Sequence, residues 1–110
     1  MENSQREEIL SELRNASMQV IRGKGGTVFG PALHLAHLTR IILKDARELI
    51  ACSAVLDGEY GFFKCSLGVP ARVGRNGIQK IEEWDLDSWE RAKMDEAGQF
   101  VTDLCSRAVS

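Results

Sequence analysis

Residues 22–32 read Arg22-Gly23-Lys24-Gly25-Gly26-Thr27-Val28-Phe29-Gly30-Pro31-Ala32, and this stretch divides two runs with helical periodicity. Gly23, just past the first run, is the expected left-handed helix stop, because glycine has no Cβ to clash there. Gly25 and Gly26 let backbone N–H groups come close to another group. Thr27 is the expected N-cap of the next helix, and Gly30-Pro31 falls in its opening turn, where proline's missing N–H is harmless. A basic, glycine-rich loop feeding a helix N-terminus favours an anion such as a carboxylate. The same pattern is also ordinary chain punctuation, and the residues alone leave both readings open. A phosphate-binding P-loop is excluded. That motif needs Gly-Lys-Ser/Thr four residues after a first glycine, following a strand, whereas here Lys24 precedes the glycine pair and a helix precedes the loop.

Outward from the loop, the upstream run holds Ile9, Leu10, Leu13, Ala16, Val20 and Ile21 at three- and four-residue steps, with Glu8, Ser11, Glu12 and Asn15 largely opposite. That spacing predicts an amphipathic helix over residues 5–22. Ser4 with Glu7 three positions later is the expected capping box at its start. Downstream, Leu33, Leu35, Ala36, Leu38, Ile41, Ile42 and Leu43 predict a helix over residues 28–44. It is apolar over so much of its circumference that a sandwiched position is expected. His34 and His37 lie one turn apart on this helix, as metal ligands can. No third ligand stands at a compatible spacing, so histidines at a solvent edge or in hydrogen bonds are the reading taken, and no metal is expected.

The pattern changes after Asp45-Ala46-Arg47. Residues 49–56, Leu-Ile-Ala-Cys-Ser-Ala-Val-Leu, are a short apolar run closed by Asp57-Gly58, which reads as a strand buried on both faces. Glu59-Tyr60-Gly61 reads as a turn and residues 62–67 as a second strand, which Gly68-Val69-Pro70 is expected to interrupt with a bend or bulge. Asn76-Gly77 between strand-like segments is a strong hairpin signal. The strand after it should set Ile78 and Ile81 toward the core. Asp87 with Glu90 forms a second capping box, opening a helix over residues 88–107 with a stripe of Trp89, Ala97, Phe100, Val101, Leu104 and Ala108. The fold class is therefore α+β: two helices, a small mainly antiparallel sheet with a β-hairpin, and a long C-terminal helix.

Size and composition narrow the function. With 110 residues the chain is expected to form one domain, and 44% apolar with 27% charged residues is ordinary for a soluble globular protein. A net charge of −2 argues against a nucleic-acid partner, which would call for a basic face. No apolar run reaches the length of a membrane span. Residues 1–8 lack the basic start and apolar core of a signal peptide. Cys52, Cys65 and Cys105 are odd in number and widely spaced, which fits reduced thiols in a cytoplasmic protein rather than a disulfide frame or a zinc site.

Several segments together carry a family likeness. Residues 24–32 resemble the segment that follows the catalytic-histidine region in the lactate/malate dehydrogenase family. Ile42-Leu43-Lys44-Asp45, Leu56-Asp57-Gly58-Glu59-Tyr60-Gly61, Leu67-Gly68-Val69-Pro70, Gly74-Arg75-Asn76-Gly77-Ile78 and the final stretch from Leu86 to Phe100 are similar to it in the same order. The likeness is nearer to lactate-dehydrogenase-like malate dehydrogenases than to animal lactate dehydrogenases. It implies the C-terminal, substrate-side domain of an NAD-dependent enzyme that moves hydride between a 2-hydroxy acid and its cofactor and works as a homo-oligomer. It also implies what is missing: the dinucleotide-binding domain, the catalytic histidine, its paired aspartate and the substrate-orienting arginines would all lie upstream. No strand–GxGxxG–helix unit is present, no cofactor is expected on this chain alone, and His34 and His37 cannot take the catalytic role by position. The resemblance places Thr27 at the substrate, through its hydroxyl, and Pro31 one turn later beside the nicotinamide ring. The local reading, a cap and a first-turn proline, is compatible with both. Arg22 and Lys24 read as solvated loop charges. The expected function is thus the C-terminal part of a malate/oxaloacetate or lactate/pyruvate dehydrogenase, inactive alone. The alternatives are a non-catalytic, self-associating interaction module that keeps the fold, and a carboxylate-binding module using Gly25-Gly26-Thr27.

Overall fold

The computed structural model describes residues 1–26 and 28–109. Their order is helix α1 (Asn3–Lys24), helix α2 (Phe29–Leu43), strand β1 (Glu48–Asp57), a single 3-10 turn (Glu59–Gly61), strand β2 (Phe63–Gly74), strand β3 (Gly77–Ile81) and helix α3 (Ser88–Val109). They fall into two compact units, Met1–Leu38 and Thr39–Ser110.

In the first unit, α1 starts earlier than the Ser4/Glu7 box would place it. The reciprocal box is formed by Glu2 and Gln5, with the Gln5 side-chain carbonyl accepting the Glu2 N–H at 3.0 Å, and Ser4 lies inside the first turn. The left-handed stop likewise falls at Gly25 rather than Gly23. Gly25 takes φ 79°, and its N–H reaches the Ile21 carbonyl at 2.7 Å. Gly23 stays helical, so the helix runs two residues further before the chain leaves the axis.

The second unit is built on an antiparallel sheet of order β1-β2-β3. Inward positions alternate along the strands. Ala54 and Leu56 of β1 and Cys65, Leu67, Val69, Ala71 and Val73 of β2 are buried, and cross-strand partners such as Ala54–Leu67 and Cys52–Val69 share a face. The expectation that β1 is buried on both faces is corrected, for Val55 is 71% exposed. The outward positions Leu49, Ala51, Ser53 and Val55 are exposed, so the strand is covered on one face only.

β2 also runs unbroken through Gly68-Val69-Pro70, against the expected bend. The reason lies in the ladder. β3 pairs with β2 only from Ala71 onward, and the Pro70 carbonyl accepts the Glu82 N–H at 2.9 Å. A residue's N and C=O point to the same side of a strand. Pro70 therefore turns its donorless nitrogen toward a side where the ladder has already ended.

α3 crosses the inner face. Its box is the expected one: the Glu90 N–H reaches Asp87 Oδ1 and the Asp87 N–H reaches Glu90 Oε2, both at 2.9 Å. Its contact with the core runs through Met94, Gly98 and Val101, while Phe100 of the expected stripe is 62% exposed. Gly98 is buried because Phe62 lies against it, and a Cβ at that position would overlap the ring. Ile81 packs against the core as expected, whereas Ile78 is turned out.

A further pin comes from Tyr60, held at φ 55° and buried, whose hydroxyl donates to the Glu82 carbonyl (2.8 Å) and accepts the Trp84 N–H (3.0 Å). The Arg91 guanidinium reaches its backbone carbonyl at 2.7 Å.

Candidate functional site

Of the residues singled out in the sequence, Pro31 lies at the entrance of α2. The Ala32 N–H is bonded to the Val28 carbonyl at 3.0 Å, which makes Val28 the residue flanking the helix and Pro31 its third member. No N–H is needed at that position, so Pro31 stiffens the turn without removing a bond. Thr27, the expected cap and substrate contact, lies outside the described residues. Gly25, Gly26 and Gly30 open onto free space, with nothing within 4 Å of where a side chain would begin. The first turn carries no acidic side chain, so its positive dipole end is not already neutralised from within the helix. Phe29 (78% exposed) and Leu33 (71%) flank Pro31 in sequence and present apolar surface.

This surface departs from the expectation that α2 is sandwiched. Ile41, at the end belonging to the second unit, is buried, but Leu33 and Leu35 are open. Phe29 and Leu33 were not assigned a site role from sequence, although the apolar circumference of the helix was the signal that could have found them.

His34 and His37 lie one turn apart on α2, both exposed. Among the described residues no three His, Cys, Asp or Glu side chains gather as metal ligands would. Arg22 sits exposed in the last turn of α1. Among the described residues no helix is long and apolar enough to cross a membrane.

The fit of a dinucleotide can be tested on the turns that follow strands. After β1, Gly58 is left-handed (φ 107°), but the Glu59 carboxylate accepts the Asp57 N–H at 2.6 Å and occupies the place an anion would take. That N–H and the backbone N–H of Glu59 itself hold the Glu59 carboxyl below its ordinary range. After β2 comes the Arg75-Asn76 turn, where the Arg75 N–H is taken by Asp45 Oδ1 at 2.9 Å. This bond, aided by Arg47 and opposed by desolvation, keeps the Asp45 carboxyl below its ordinary value. Neither turn cradles a diphosphate. Both turns are thus closed by the chain's own carboxylates, Glu59 in one and Asp45 in the other.

The family profile described as lactate/malate dehydrogenase, alpha/beta C-terminal domain, matches residues 1–108. The chain is 43% identical over 102 residues to a malate dehydrogenase of Natronomonas pharaonis, covering 93% of this chain and 34% of that protein. It is 35% identical over 98 residues to an L-lactate dehydrogenase of Bacillus velezensis, covering 89% of this chain and 31% of that one. Among solved structures, the malate dehydrogenase from Aeropyrum pernix superposes with a TM-score of 0.84 at 35% identity, over 94% of this chain and 35% of that one. The chain thus spans about a third of the length of the proteins it matches.

Proposed function

The chain belongs to the lactate/malate dehydrogenase family, as its alpha/beta C-terminal domain, and from that premise we propose that it forms the substrate-side wall of an NAD-dependent 2-hydroxy acid dehydrogenase. The substrates in this reading are malate and oxaloacetate, or lactate and pyruvate. The observation that carries it is the pairing of two coverages: the profile takes in residues 1–108, while each relative extends to about three times the matched length.

In this reading the α2 entrance orients the acid. The Thr27 hydroxyl contacts it, and the positive end of α2, unneutralised from within its own first turn, favours its carboxylate. The Pro31 ring lies beside the nicotinamide and keeps water from that side. NAD, bound mainly by the preceding domain, supplies the hydride chemistry, and the proton is handled by a histidine outside this chain. The 110-residue chain alone is then inactive. It should neither oxidise NADH with oxaloacetate or pyruvate nor change NADH fluorescence. Joined behind the first two thirds of the Natronomonas pharaonis relative, it should restore turnover, and Thr27→Val in that chimera should raise KM. Turnover by the chain alone, or a folded chimera that stays inactive, would overturn the proposal.

A second reading, a self-associating module without catalysis, is favoured by the exposed Phe29, Leu33 and Leu35. A strictly monomeric chain at high concentration in light scattering would count against it.

A further inference from the structure

Residues 82–87 carry the chain from β3 to α3 without regular structure. At one end the Glu82 N–H still belongs to the sheet, through the Pro70 carbonyl at 2.9 Å, and at the other the Asp87–Glu90 box belongs to the helix. Between these ends, among the described residues, the backbone is tied at the Glu82 carbonyl and the Trp84 N–H. A single atom, the Tyr60 hydroxyl oxygen, holds both, at 2.8 and 3.0 Å. The Tyr60 carbonyl in turn accepts the Arg91 guanidinium, from the opening of α3, at 2.7 Å. Two positions on, the Phe62 ring lies against Gly98. One turn, residues 58–62, therefore fastens the connection, the start of α3 and its middle.

Tyr60 does this from φ 55°, a left-handed conformation costly for an aromatic residue, with Gly58 (φ 107°) and Gly61 (φ 80°) in the same turn. Such a conformation persists only where its surroundings over-determine it, and those surroundings include the connection and the helix. The dependence runs both ways. Helix and connection need Tyr60 to stay docked, and Tyr60 needs them to stay left-handed. β1 and β2, by contrast, pair directly from Glu48–Val73 to Val55–Ser66, by ladder bonds in which the turn takes no part.

We propose that the 58–62 turn, the 82–87 connection and α3 form one cooperative body, latched at Tyr60, that comes away from the paired β1 and β2 as a whole and uncovers the inward row of β2, the buried Cys65 among it. Opening of this body is a conformational step short of unfolding, and the Tyr60 hydroxyl sets how often it occurs.

Hydrogen exchange on the full chain, followed residue by residue in low urea, tests this. The Phe62 and Trp84 amides and those of α3 around Gly98 should share one opening free energy and one urea slope, both smaller than those of the β1–β2 ladder amides. Tyr60→Phe keeps the ring and removes both hydroxyl bonds, so it should lower protection across the whole body together, by about tenfold. Ser53→Gly weakens β1 from its exposed side, where the Ser53 hydroxyl lies 2.7 Å from that of Ser66. It should lower ladder protection about threefold, the cost of glycine in a strand. It should leave the body unchanged, because the ladder stays paired while the body is open. Iodoacetamide labelling of Cys65, read by peptide mapping, should quicken about tenfold in Tyr60→Phe, in step with the exchange, and stay as it was in Ser53→Gly. Should Tyr60→Phe not fold, the urea slopes of the parent chain and the Ser53→Gly response decide without it. A Trp84 amide that alone responds to Tyr60→Phe would overturn the proposal, since the hydroxyl would then hold only its own partner. So would body amides that follow the urea slope of the ladder, or that lose protection in Ser53→Gly, because opening would then be global.

Discussion

The two compact units of this chain use their apolar residues in opposite ways. Thr39–Ser110 turns Leu56, Cys65, Val69 and Ile41 inward until each is 2% exposed or less. In Met1–Leu38 no described residue is buried, and Leu13, Phe29, Leu33 and Leu35 are each more than 60% exposed. The hydrophobic fractions of the segments do not reveal this contrast. A sheet with a helix across it closes a core within one segment, whereas two helices with apolar stripes need a surface to lie on. The Thr39–Ser110 unit closes a core of its own, whereas Met1–Leu38 presents open apolar surface.

The contrast is broken most directly by paired truncations. Leu56→Ala should cost about 2–5 kcal/mol, the range for a buried leucine whose cavity relaxes only in part. Leu33→Ala should stay within about 0.5 kcal/mol, as exposed positions do. Trp84 and Trp89 both lie in the Thr39–Ser110 unit, so tryptophan fluorescence in urea reads that unit by itself, while circular dichroism reads the helices of both. A Leu33→Ala variant as damaged as Leu56→Ala would show that α2 is covered in solution.

A smaller effect sharpens how the sheet unit holds its helix. Gly98→Ala gains helix propensity of up to about 1 kcal/mol but drives a methyl into the Phe62 ring, and overpacking costs about 1–3 kcal/mol. The net should be a destabilisation of about 1–2 kcal/mol, recovered in part by adding Phe62→Leu, which makes room. Additive losses in the pair, read as urea midpoints, would mean that the two residues do not meet in solution.

These residues also mark how far the sequence could be read. The order of elements, the Asp87–Glu90 box and the Asn76-Gly77 hairpin follow from local chemistry, and local chemistry is visible in a sequence. The family likeness, carried by several short motifs in order, was legible for the same reason. Gly98 was not, because its role depends on Phe62, which lies far away in sequence. The passage of β2 through Pro70 depends on where β3 stops, which no window around Pro70 contains. Ser4 and Gly23 lost their expected roles to Glu2 and Gly25, neighbours two positions away, which is the usual ambiguity of helix ends. Pro31 in the first turn of α2 was readable from proline's fixed φ, and the apolar character of the face holding Phe29 and Leu33 was readable too, but its exposure was not. Periodicity tells that a face is apolar and not whether anything covers it.

The smallest expected effect concerns acid, and it again belongs to the sheet unit. Asp45 follows α2 with φ 49°, a conformation costly for a non-glycine residue, and its carboxylate is held by the Arg75 N–H and by Arg47. Its folded-state carboxyl therefore ionises below the ordinary aspartate value of 3.8. In the unfolded chain the same group takes up its proton near that ordinary value, so below it the unfolded state binds more protons than the folded one. The stability tied to Asp45 is fully present above pH 3.8 and is lost as pH falls through the depressed folded value. Glu59, held by the Asp57 N–H and its own, adds a loss of the same sign beginning near its ordinary 4.5. Asp45→Asn keeps an oxygen for the Arg75 N–H but removes the titration. Its acid-unfolding curve by tryptophan fluorescence should be flatter than that of the parent chain below about pH 4 and parallel to it above pH 5. Superimposable acid limbs would mean that the carboxylate charge does not fasten the end of α2 to the β2–β3 turn, and the acid sensitivity of this unit would then rest on Glu59.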